Sequence, residues 1–77
     1  MTEKQRIAYA RVRSMDKDML VPADVADILG IAAVSISAQA RKDPAMIGFP
    51  VMVVGTRTYI PKHSFLKFCA DVMGYGK

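Results

Sequence analysis

The chain has 77 residues and a mass of 8.4 kDa, which allows one small domain that buries only about 60–65% of the surface its unfolded form exposes. Hydrophobic residues make up 52% and charged residues 23%, a composition too apolar for intrinsic disorder in a chain too short for a large enzyme with a deep pocket. One cysteine, Cys69, and one histidine, His63, exclude an internal disulfide and a structural zinc site built from those ligands. The expectation is a soluble, cytoplasmic domain with a reduced thiol and no membrane contact, since no run of about 18 apolar residues occurs.

The net charge of +4 is unevenly spread. Residues 1–14 set Lys4, Arg6, Arg11 and Arg13 against Glu3, whereas residues 15–30 set Asp16, Asp18, Asp24 and Asp27 against Lys17. Beyond residue 50 the sign is positive again, with Arg57, Lys62, Lys67 and Lys77 against Asp71. Basic segments flanking an acidic one let a polyanion bind one side while the acidic element faces away.

Residues 3–14 contain good helix formers and no Gly or Pro, so a helix is expected, with Ile7, Ala10 and Met15 loosely on one face. That stripe is thin, and such a helix either docks on the domain or a partner, or stays mobile until it meets a ligand. Residues 1–18 are therefore read as a basic arm, helical or flexible. Pro22 opens the first clear helix, over about 22–29, with Asp24 in its first turn and Val25, Ile28 and Leu29 as its apolar stripe. Gly30 supplies the left-handed stop. Helical spacing resumes after Ile31 with Ile36 and Ala40 inward, and ends where Asp43 precedes Pro44. Two short helices separated by a glycine turn, the second with a polar and basic outer face, follow the pattern of a helix-turn-helix.

A loop from Pro44 to Pro50 carries two apolar anchors, and Val51–Val54 then reads as a short strand. Gly55-Thr56 forms a two-residue turn with glycine first, and Thr58-Tyr59-Ile60 returns as the partner, placing Arg57 near the hairpin tip. Pro61 opens a last helix whose apolar positions are Phe65, Phe68, Cys69, Val72 and Met73. Gly74 ends it, and residues 75–77 are expected to fray. The expected core is Val25, Ile28, Leu29, Ile36, Phe65 and Phe68.

Catalysis lacks a plausible constellation. His63 sits in the first turn of the last helix, and Cys69 lies on that helix's apolar face two turns along, where it reads as a small buried hydrophobe. Asp16 and Asp18 without further oxygen ligands are a weak cation signal. A non-enzyme without metal or cofactor is the expectation.

Leu20-Val21-Pro22-Ala23-Asp24-Val25-Ala26-Asp27-Ile28-Leu29-Gly30-Ile31 resembles the opening of the excisionase-like, MerR-related winged helix-turn-helix domains. Gly48-Phe49-Pro50-Val51, the run Val54–Lys62 and Phe65 are similar to that family's wing and the start of its last helix. The resemblance spans about two-thirds of the chain, from Met19 to Cys69. It implies a mainly α fold with a small β-hairpin over residues 19–74. It further implies binding of double-stranded DNA, as a recombination directionality factor or transcriptional regulator of a phage or mobile element. By the same resemblance, Ser35, Ser37, Ala38, Gln39, Arg41 and Lys42 match the DNA-facing stretch of the second helix, and Thr56, Arg57 and Thr58 match the wing. Lys4, Arg6, Arg11 and Arg13 on the arm are expected to reach the DNA backbone. Three departures thin this face: Ala32 and Ala33 replace the family's frequent Ser or Thr cap and proline, Ser37 and Ala38 stand where basic residues are common, and Gln39 replaces a frequent aromatic. A module this small is expected to pair with itself, as a homodimer or cooperative array, or to recruit a recombinase. The rival reading is a protein-interaction module that keeps the winged fold and docks a partner through Ala33, Val34, Ser37 and Ala38.

Overall fold

The computed structural model describes residues Thr2–Gly74, so the expected fraying of 75–77 lies outside the described residues. In chain order the elements are α1 (Glu3–Ser14), β1 (Met19–Leu20), α2 (Pro22–Leu29), α3 (Ala33–Lys42), a 3₁₀ turn (Pro44–Met46), β2 (Met52–Val54), β3 (Arg57–Pro61) and α4 (Lys62–Val72). The fold is mainly helical with a small three-stranded antiparallel sheet in the order β1-β3-β2.

Helix α1 starts at a capping box. Thr2 Oγ1 accepts the Gln5 N–H at 3.1 Å, and Gln5 Oε1 accepts the Thr2 N–H at 2.9 Å. The same glutamine then donates from Nε2 to the Ile28 carbonyl at 3.1 Å, fastening the start of α1 to the end of α2. The buried face is Ala8 and Val12, with Tyr9 and Met15 packed against the core. This corrects the expected stripe: Ile7 is 52% exposed and Ala10 is exposed as well. The reason is register, because docking on α2 selects the Ala8–Val12 line, whose small side chains let the helices approach. The segment read as an arm thus contributes to the same core as residues 19–74.

Helix α2 matches its expected bounds. The Asp24 carboxylate accepts the Val21 N–H at 3.0 Å and pairs with Lys17 at 2.6 Å. Burial alone would raise the Asp24 pKa, but the hydrogen bonds from Lys17 and Val21 and the lysine's charge together hold it below the ordinary 3.8. Gly30 ends the helix in the left-handed region, at φ +72°, and both Gly30 and Ile31 donate their N–H groups to the Ala26 carbonyl, at 2.8 and 3.2 Å. Three residues later α3 begins, its axis turned 108° from that of α2. Ile36 and Ala40 are its buried residues, as their spacing requires.

The hairpin pairs Val54 with Arg57, Val53 with Thr58 and Met52 with Tyr59. Gly55 takes φ +62° as the first residue of the two-residue turn. The sheet also has a strand that the hairpin pattern did not include: Met19 and Leu20 pair with Pro61 and Ile60. Two residues carry no period of their own, and tertiary pairing alone makes them a strand. Lys62 extends this junction, its N–H donating to the Asp18 carbonyl at 2.8 Å and its Nζ to the Met15 carbonyl.

Along β3 the side chains alternate, and this overturns one site assignment. Thr58 is 4% exposed and faces the core with Ile60, so it is not a wing contact; Arg57 and Tyr59 take the other face. Phe49 from the loop closes the core against α4, its ring edge-on to Phe65 at 5.1 Å and tilted against Phe68 at 5.1 Å. Val25, Ile28, Ile36 and Phe65 are buried as expected, while Leu29, Phe68 and Met73 are only partly so. Val72, expected on the apolar face, is 68% exposed, whereas Cys69 in the same turn of α4 is buried.

Two outcomes check this architecture. The stabilisation from the depressed Asp24 carboxyl is fully present above pH 3.8 and is lost as pH falls through the lower folded value. Urea titrations across that window should therefore show Asp24→Asn losing less stability on acidification than the parent. Thr58 Oγ1 is buried without a hydrogen-bond partner among the described residues, which costs about 1–3 kcal/mol. Thr58→Val, similar in shape, should raise the unfolding free energy by about 1 kcal/mol.

Candidate nucleic-acid interface

Because Ile36 and Ala40 point inward, the opposite side of α3 is set by helical geometry: Val34, Ala38 and Arg41, at i, i+4 and i+7, form its outer ridge. Val34 is 73% exposed, and Ala38 and Arg41 are exposed. Ser35, Gln39 and Lys42 follow the same spacing along one flank and are exposed, while Ser37 is half-buried on the other. The cations of this helix sit in its last turn, where they also complement the helix dipole. Its start is bare, for Ala32 is the N-cap and offers no side-chain hydrogen bond. No carboxylate lies within α3, and Asp43 follows at its C-cap.

Of the three wing residues, Thr56 and Arg57 are exposed at the hairpin end, and Thr58 belongs to the core. Arg57 therefore carries the wing's charge alone.

The four cations of α1 are exposed but do not share one face. Arg6 and Arg13, seven residues apart, lie opposite the buried Ala8–Val12 line, whereas Lys4 and Arg11 run along its flank. Lys4 meets Asp27 of α2 at 3.8 Å in an exposed pair, a contact worth little in water. Arg13 lies 5.8 Å from the centre of the Tyr9 ring. Only one of these stripes can face a ligand that α1 meets side-on.

Beside the flank of α3 runs an open, mainly apolar groove of about 400 Å³, walled by Leu29, Ile31, Ile36, Met46, Ile47 and Phe68 with Ser35 and Gln39 at its edge. Sequence periodicity did not reveal it, because Met46, Ile47 and Phe49 in its wall come from the irregular loop after α3. Ile31 is 49% and Met46 is 72% exposed there. Gln39 thus stands between two surfaces, the groove and the outer ridge.

Cys69 is fully buried, and burial pushes its thiol up to about 11, which keeps it protonated and unreactive near neutrality. His63 is exposed at the start of α4. Among the described residues no three His, Cys, Asp or Glu side chains gather as a metal site, and no single helix is long and apolar enough to cross a membrane.

No protein-family model, curated protein or solved structure matches this chain, so its chemistry rests on its own geometry.

Proposed function

We propose that the chain is a winged helix-turn-helix protein that binds double-stranded DNA, with α3 in the major groove and the β2–β3 hairpin on the backbone or the adjacent minor groove. The observation that carries this reading is the relation of α2 to α3. They meet at 108° across Gly30-Ile31-Ala32, within the roughly 90–120° and three- to four-residue turn that helix-turn-helix units use. The second helix of such a pair is the one that enters the groove, and here its outer side is free of carboxylates and ends in Arg41 and Lys42.

On this reading Arg41 and Lys42 grip phosphates, which fix position without reading sequence. Arg57 does the same from the wing or enters a narrow minor groove. Ser35, Gln39 and Ala38 meet base edges or the nearby sugar-phosphate chain. So few cations per copy support only weak binding by one molecule, which favours a homodimer, a cooperative array or a recruited recombinase. The excisionase-like resemblance makes a recombination factor or transcriptional regulator of a phage or mobile element the proposed role, with no enzymatic step.

A second reading has its own support in the apolar groove beside α3, where Ile31 and Met46 are left open. A protein partner docking there would make the fold an adaptor that does not read DNA.

Selection from a pool of random duplex DNA at two salt concentrations separates the two. A DNA reader enriches a motif, binds less tightly as salt rises, and loses affinity in Arg41→Ala and Arg57→Ala, each of which lowers the salt slope by about 1. Absence of retention at low salt, or indifference to both substitutions, moves the function to the groove. Paired replacements in α1 test the arm without removing its core residues. Either Arg6→Gln with Arg13→Gln, or Lys4→Gln with Arg11→Gln, should flatten the salt dependence, and the other pair should leave it unchanged.

A further inference from the structure

We infer that the outer ridge of α3 reads the C5-methyl groups of thymine in the major groove, an inference that rests on the DNA-binding reading and adds the base edge recognised. The centre of that ridge is not polar. Val34 is 73% exposed and Ala38, one turn on, is exposed beside it. The hydrogen-bonding side chains lie elsewhere: Gln39 and Ser35 edge the lateral groove, and Arg41 and Lys42 occupy the last turn. A duplex docked on this helix therefore meets an apolar line first.

Charge identifies the occupant as a polyanion. Arg41 continues the Val34–Ala38 line, Lys42 flanks it, and the helix holds no carboxylate. The nearest one, Asp43, sits past the ridge at the C-cap. Among the base edges exposed in the major groove, the apolar group is the thymine methyl, and Ala and other small apolar side chains are suited to contact it. Ala38 keeps the helix close to the base edges. Val34 supplies a branched surface with little χ1 freedom to lose on contact.

The test uses the duplex enriched from the random pool, prepared with thymine or with uracil at each position in turn. Uracil keeps every hydrogen-bonding group of thymine and lacks the methyl. Affinity should fall about fourfold at each contacted position, the effect of leaving one methyl-sized group unburied. Val34→Ser, a change at an exposed site that leaves the core intact, should abolish the thymine–uracil difference at its position while the salt dependence persists. Equal affinity for thymine and uracil duplexes overturns the inference and leaves DNA binding standing. A thymine–uracil difference that V34S reduces at no position also overturns it, since the methyl would then act through DNA shape. Failure to retain any duplex at low salt overturns the DNA-binding reading itself, and this inference with it.

Discussion

The left-handed turn at Gly30 is the constraint on which the rest of the arrangement depends. At φ +72° the chain leaves α2 with two N–H groups on the Ala26 carbonyl, a conformation that side chains with a Cβ adopt only at a cost of roughly 1 kcal/mol. The turn sets the 108° between α2 and α3. That angle lets Ile36 and Ala40 reach the core shared with Val25 and Ile28, and it consequently turns Val34, Ala38 and Arg41 outward. Core and candidate interface are therefore two sides of one backbone decision.

A domain this small has little stability to spare, and its remaining contacts tie chain-distant segments together. Gln5 joins α1 to α2, Lys17 joins the linker to Asp24, and Lys62 bonds the carbonyls of Met15 and Asp18. The last of these sits beside the two-residue strand β1, so the β1–β3 pairing and the lysine hold the same junction. Phe49, carried by a loop, fills the space between α4 and the rest of the core. The cluster thus draws on nearly every element while leaving the outer side of α3 and the hairpin end uncovered.

Charge is arranged to the same effect. Asp24 and Asp27 lie on α2 and meet Lys17 and Lys4, which lowers the field they present. Helix α3, by contrast, carries no acid beside Arg41 and Lys42. The surface left for a polyanion is narrow, and its centre is apolar. On the proposed reading, a duplex would meet this combination through phosphate contacts at the edge and methyl contacts in the middle, whereas a protein partner would use the neighbouring groove.

Local signals by themselves determined most of the elements. Pro22, Gly30 and Pro44 punctuate α2 and α3 because each fixes a backbone torsion or removes a donor, and Gly55-Thr56 marks the hairpin for the same reason. The start of α1 was not among these signals: the reciprocal Thr2–Gln5 capping bonds emerge only in the structure. What only the tertiary structure decided depends on which neighbour arrives. Docking on α2 chose Ala8 and Val12 over Ile7 and Ala10, pairing with β3 made a strand of Met19–Leu20, and strand alternation against the core took Thr58 from the wing. The groove beside α3 belongs to the same group, since its walls come from segments far apart in the chain. Torsional preference is a property of one or two residues and can be read along a sequence. The choice of face and of partner is a difference in packing between surfaces, and it exists only once the chain has folded.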